Sequence, residues 1–177
     1  MRKKLIIPIM LLLTFICSTA FAFEYPTYLS GDRNFIICGG HMGLACYVKK
    51  SSVVVQNYAP PNFEIYVETV IADFNDSKGW PVAPNVYKLS EITPMVFRYN
   101  SDTTRMTRYN SKNKTWDYIM PAGAMAQTGH WYPGEMAYYI AFHQKFYGSR
   151  KWQNPYDGQW INANCASDWF YANVDNS

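Results

Sequence analysis

The side chains with most chemical potential are sulfur and imidazole. Cys38, His41 and Cys46 surround the glycine-rich run Gly39-Gly40-His41-Met42-Gly43, Cys165 stands near the other end, and His130 and His143 lie between. Two thiolates and an imidazole in a Cys-x2-His-x4-Cys spacing are donors suited to tetrahedral zinc, with Cys165 as a fourth. Thiolates would have to survive an oxidising compartment to serve there. The competing reading is a disulfide between Cys38 and Cys46, closed across a turn that folds two strands back on each other, and it is the expected one. A loop that short contributes at most about 2–3 kcal/mol, so it would pin a hairpin without holding the fold. On this reading the chain needs no metal and no cofactor, and Cys165 is left over.

Two further constellations bear on catalysis. Cys165 beside His130 or His143 would have the minimum for acyl transfer, a thiolate next to an imidazole, but Asn164-Cys165-Ala166-Ser167 carries no local signature for it. Glu135, Tyr139 and His143 recur every four residues, which on a helix aligns them along one flank as a general acid/base stripe. The plainer reading makes the histidine a core residue and Glu135 a helix-start anion. Asp157, Asp168 and Asp175 lack calcium-loop spacing, and no phosphate-cradling glycine loop, glycosidase carboxylate pair or serine elbow is present. What remains is a surface. Trp80, Trp131, Tyr132, Trp152, Tyr156 and Trp160 sit among Gly, Pro, Asn and Asp, where rings suit stacking on a sugar or an interface hot spot. At least half of them are expected to serve as cover for the sheet.

Positioning those residues calls for a sheet and one helix. Pro133 suits a first helical position, Glu135 a first turn, and Gly148 follows the last periodic residue, so the spacing predicts a helix over about 133–147. Its apolar face carries Met136, Tyr139, Ile140, Phe142, Phe146 and Tyr147. Upstream, strands are expected over 35–38, 44–48, 53–56, 63–72, 86–90, 95–99, 105–109 and 116–119. The clearest is 63–72, where Phe63, Ile65, Val67, Thr69 and Ile71 alternate with Glu64, Tyr66, Glu68 and Val70. Residues 74–85 form a loop long enough to suggest a role, with Trp80 in its middle. The fold class expected is α+β, an antiparallel meander packed by one main helix, with an irregular aromatic arm over 149–177 that has a short strand around 159–162.

Arg2, Lys3 and Lys4, the apolar run 5–16 and an Ala-x-Ala pattern ending at Ala22 read as a signal peptide over 1–22. Export to the periplasm, cell surface or medium is therefore expected, with 23–177 as one domain. Removing the leader takes three of the 16 basic residues and leaves 13 against 13 acidic ones. The neutral remainder gives no support for a nucleic-acid partner, and no second apolar run suggests a transmembrane segment.

The order Ala45-Cys46-Tyr47-Val48-Lys49-Lys50-Ser51-Ser52-Val53, a hydrophobic strand, Thr115-Trp116-Asp117-Tyr118-Ile119-Met120-Pro121 and a late helix resembles the surface-adhesin protein E type of small exported bacterial domain. Tyr47 to Ser52 and Gly134 to Ala137 also resemble motifs of uncharacterised secreted bacterial proteins. The resemblance covers about half of 23–177 and implies hairpins packed on a helix, with no catalytic residue to carry over. The expected function is a non-catalytic binding or cell-envelope interaction module. Its candidate surface is Trp80, Trp131, Trp152, Tyr156 and Trp160, and its partner an envelope glycan or protein. The alternative is a small cysteine-dependent hydrolase or transferase using Cys165 and a histidine.

Overall fold

The alternating run that begins at Phe63 is the centre of the fold. In the computed structural model, which describes residues 23–120, 125–147, 151–154, 157–162 and 168–177, it becomes strand β3 (Asn62–Asp73). Of 125–131, 152, 161 and 162 only the backbone is described. β3 pairs with β2 (Leu44–Ala59) on one side and with β5 (Thr93–Asn100) on the other, and the short β4 (Lys88–Leu89) continues the β5 side. With β1 (Phe35–His41), β6 (Arg105–Asn110) and β7 (Thr115–Ile119) they form an open antiparallel sheet of order β1-β2-β3-β5-β6-β7.

The two faces of β3 divide the interior. Phe63, Ile65, Val67 and Thr69 turn toward helix α1 (Met125–Phe142), into a core shared with Phe97, Tyr99 and Met106 from the sheet and Met136, Ala137 and Tyr138 from the helix. Ring packing dominates it: Tyr138 lies 5.0 Å from both Tyr99 and Phe146 and 4.8 Å from Phe142, the spacing of favourable tilted and edge-on pairs. On the other face Ile37, Tyr47, Val70 and Ala72 are covered by Leu29, Phe74, Phe23 and Tyr25. No helix among the described residues is long and apolar enough to cross a membrane.

The α+β architecture is thus as expected, and several boundaries differ. The main helix starts eight residues before Pro133 and stops at Phe142, where His143 turns to φ +50°. Pro133 and Glu135 are interior to it. Gly134 explains the helix's tolerance of this sequence: a Cβ there would sit 2.4 Å from Met106 Sδ and 2.9 Å from Phe97 Cδ1, so only glycine lets the helix lie this close to the sheet. β2 does not turn at 49–52. It continues through an irregularity in which 50–53 stand against Val67 alone, and Ser52 Oγ repairs the ladder, accepting from Glu68 N–H at 2.8 Å and donating to Lys49 C=O at 2.6 Å.

The arm is more ordered than expected. It holds a hairpin of β8 (Lys151–Gln153) and β9 (Trp160–Asn162), the latter close to the anticipated strand, and a helix α2 (Asp168–Asp175) that was not anticipated. α2 buries Phe170, Tyr171 and Val174 in the main core.

The Cys38–Cys46 disulfide is also corrected. Their hairpin forms, but a bulge between Ile37 and Gly39 shifts the register so that Cys46 stands opposite Gly39. Both cysteines are free and buried, and the Cys38 thiol donates to the Cys46 carbonyl at 3.2 Å. The expected leader 1–22, Tyr156 and Cys165 lie outside the described residues.

Candidate functional site: the Trp80 loop

Phe74, fully buried beneath the sheet, fixes the start of the loop that carries Trp80. Its N–H donates to Gly43 C=O at 2.8 Å, and Asn75 Nδ2 donates to Met42 C=O at 3.1 Å, which docks the loop on the β1–β2 turn. Asp76 then builds the tip. Its Oδ1 accepts from the N–H groups of Lys78 (2.8 Å) and Trp80 (3.0 Å), its own N–H donates to Trp80 C=O (2.8 Å), and Gly79 supplies the φ of +80°. A bridge between Asn75 and Pro81 and the bond from Val82 N–H to Phe74 C=O close it. The loop is therefore an internally bonded, hairpin-like projection, and it holds Trp80 71% exposed. Met42, Val82 and Val86, at the same end of the sheet, are exposed as well.

The outer face of the sheet away from this end is a polar–aromatic ladder. Arg98 Nε donates to Glu64 at 2.7 Å while its guanidinium lies 3.8 Å over the Trp116 ring, and Trp116 meets Tyr109 at 5.3 Å. Beside it Lys49 pairs with Glu68 at 2.7 Å and Tyr66 donates to the same carboxylate at 3.1 Å. The Lys49 hydrogen bond holds the Glu68 carboxyl below its ordinary range; burial, then the bond to Glu68, raises Tyr66. Each charged group here has a partner within the ladder, and the arrangement shields a sheet face that no helix among the described residues covers.

The Glu135–Tyr139–His143 flank does not assemble, and Cys165 of the other arrangement lies outside the described residues. Glu135 is fully buried in mid-helix, and both its oxygens are engaged: Oε1 accepts from Phe146 N–H (2.9 Å) and Tyr171 O–H (2.7 Å), Oε2 from Tyr147 N–H (3.0 Å). Tyr139 instead donates to Asp175 at 3.0 Å, and burial, then that carboxylate, raises it; His143 is exposed past the helix end. The carboxylate is thus a structural clamp and not part of a flank with Tyr139 and His143. Cys38 and Cys46 are buried while His41 is exposed, and among the described residues no group of three or more His, Cys, Asp or Glu could hold a metal. Burial foremost, then the Cys46 thiol, pushes the Cys38 thiol well up, the opposite of what a nucleophile needs.

Of the aromatic residues singled out from sequence, Trp80 and Trp160 are exposed, the latter by 50% on the separate β8–β9 hairpin. Tyr132 packs inward, 5.7 Å from the Phe170 ring. The side chains of Trp131 and Trp152, like the whole of Tyr156, are outside the described residues. Trp169, exposed on α2, and Met42, exposed at the hairpin turn, were missed; the first stands in a segment without helical periodicity long enough to read, the second in a glycine run that signalled only a turn. No family model matches this chain, and neither the curated proteins nor the solved structures contain a significant match.

Proposed function

We propose that this chain is an exported, non-catalytic binding module that meets an envelope glycan or protein through the Trp80 end of its sheet. The observation that carries this reading is a large indole held 71% exposed by a loop whose own hydrogen bonds fix it. A loop backbone already held in place loses little conformational freedom on contact, so burial of the ring it carries goes mainly into affinity, and tryptophan is among the residues that dominate interface energies. Met42, Val82 and Val86 extend the apolar surface around the same end. The resemblance of the order Ala45 to Val53, hydrophobic strand, Thr115 to Pro121 and late helix to adhesin-like exported domains points the same way, as does the leader-like pattern of 1–22.

A photo-reactive amino acid placed at Val82 and irradiated in intact cells tests the proposal. The expected result is a discrete adduct with an envelope component, absent when the same group is placed at Tyr109 on the outer sheet face. Equal labelling from both positions, or none from Val82, would overturn it.

A further inference from the structure

The glycine-rich turn between β1 and β2 receives two other segments of the chain. Gly40 makes room for the first: a Cβ there would sit 2.7 Å from both Cδ2 and Cε2 of Tyr25, so the tyrosine ring can rest on β1 only because this residue is glycine. Gly43, at φ +79°, makes room for the second, since a Cβ there would collide with the side-chain amide of Asn75.

The first segment is a strap, residues 23–29, laid over the sheet face that carries Ile37 and Tyr47. Near its end Tyr28 forms a bridge with Ile36, Thr27 C=O accepts from Ile37 N–H at 3.0 Å, and Tyr28 O–H donates to Asn173 C=O in α2 at 3.0 Å. In its middle Pro26 C=O accepts from Tyr47 O–H at 2.9 Å. At the turn, Tyr25 Oη accepts from Gly43 N–H at 2.8 Å. The Gly43 peptide is thereby shared, for its C=O accepts from Phe74 N–H at the root of the Trp80 loop. The rings close the same joint. Phe23 and Tyr25 are 5.0 Å apart and lie 5.5 and 5.6 Å from Phe74.

We infer that this strap is the latch of the Trp80 loop, with Tyr25 as the residue that positions it. The inference rests on the reading of the Trp80 end as the binding surface and adds what controls that surface. The Asp76 bonds shape the loop tip but join loop residues only to one another. Where the tip stands relative to the sheet is set at Phe74, Asn75 and Gly43, and Tyr25 touches two of these three. With the strap undocked, Phe74 loses two ring neighbours and Gly43 N–H its acceptor, so the loop is free to pivot and carries Trp80 with it. Strap docking and loop placement therefore share one local opening equilibrium, below the free energy of global unfolding. Tyr28, which ties the far end of the strap to α2, is outside this path.

The test is amide hydrogen exchange of the leader-free chain. Tyr25→Phe keeps the ring and removes the acceptor, Tyr25→Ala removes both, and Tyr28→Phe removes a hydrogen bond of the strap away from the turn. Exchange at Gly43, Phe74 and Val82 is expected to rise at least about threefold in Tyr25→Phe, the loss of one hydrogen bond, and further in Tyr25→Ala, with the centre of β3 unchanged. Tyr28→Phe should leave those three amides as they are. Unaltered exchange at Phe74 and Val82 in Tyr25→Ala, or an equal rise in Tyr28→Phe, would overturn the latch. This readout uses the protein alone and is independent of what Trp80 binds. Affinity for a cell-envelope fraction then reads the use of the latch, and it should fall in Tyr25→Ala as well as in Trp80→Ala. A fall in Trp80→Ala alone would overturn the control of the site by the strap, whereas no fall in either would contradict the binding reading and leave the latch to stand on its exchange.

Discussion

The Tyr171 hydroxyl donates to Glu135 Oε1 at 2.7 Å inside the core, joining the middle of the main helix to the C-terminal helix. The same carboxylate accepts the N–H groups of Phe146 and Tyr147, so one side chain fixes the exit from α1 and the docking of α2. Removing it leaves two buried amides and a hydroxyl without their acceptor, each costing about 1–3 kcal/mol. Glu135→Ala is therefore expected to lower stability by about 3 kcal/mol or more, a large share of what a domain of this size has. Tyr171→Phe should cost about 1.5–3 kcal/mol, the worth of one hydrogen bond to a charged group. Urea unfolding of both and of the double variant checks this, with the double expected to cost less than the sum.

Gly134→Ala reverses the usual helix rule. Alanine in a helix interior is normally favoured over glycine by about 1 kcal/mol. Here the added methyl would lie 2.4 Å from Met106 Sδ and 2.9 Å from Phe97, and the helix must lift from β5 and β6 to admit it. The expected outcome is destabilisation by about 1–3 kcal/mol, read from the thermal midpoint.

The buried Cys38 thiol makes stability fall in alkali. Burial first, and then its neighbour Cys46, holds the folded pKa of this thiol well above the value of the unfolded chain. Below the unfolded value of about 8.5 both states are protonated and the contribution is complete. Above it the unfolded state loses a proton that the folded state keeps, so stability declines as pH climbs from there toward the folded pKa. Urea midpoints measured from neutral to alkaline pH should show that decline, reduced in Cys38→Ala. Cys38 should also resist alkylation until the protein unfolds.

How far the sequence foretold this molecule follows from the range over which each signal acts. The alternation of Phe63, Ile65 and Val67 against Glu64, Tyr66 and Glu68 is local, and it identified the central strand within a residue at each end. The helix start was hidden because Gly129, Pro133 and Gly134 each oppose a helix locally, while the reason for glycine at 134 lies on Met106 and Phe97, far away in the chain. Glu135 read as a helix-start anion for the same reason: its acceptors' partners, Tyr171 above all, belong to a helix too short to show periodicity. The register bulge that sets Cys46 opposite Gly39 leaves no mark on the cysteine spacing. Trp80 was legible because Asp76, Gly79 and Pro81 announce an exposed turn whatever surrounds it.

The most direct test of the binding-module account is the affinity of the leader-free chain for a cell-envelope fraction, compared with that of Trp80→Ala, with the thermal midpoint of each recorded alongside. The ring is exposed and its loop is held by backbone and Asp76 bonds, so the substitution should change stability by no more than about 0.5 kcal/mol. The account predicts that binding falls by at least about tenfold, equivalent to about 1.4 kcal/mol, at an unchanged midpoint. Undiminished binding by Trp80→Ala would contradict it.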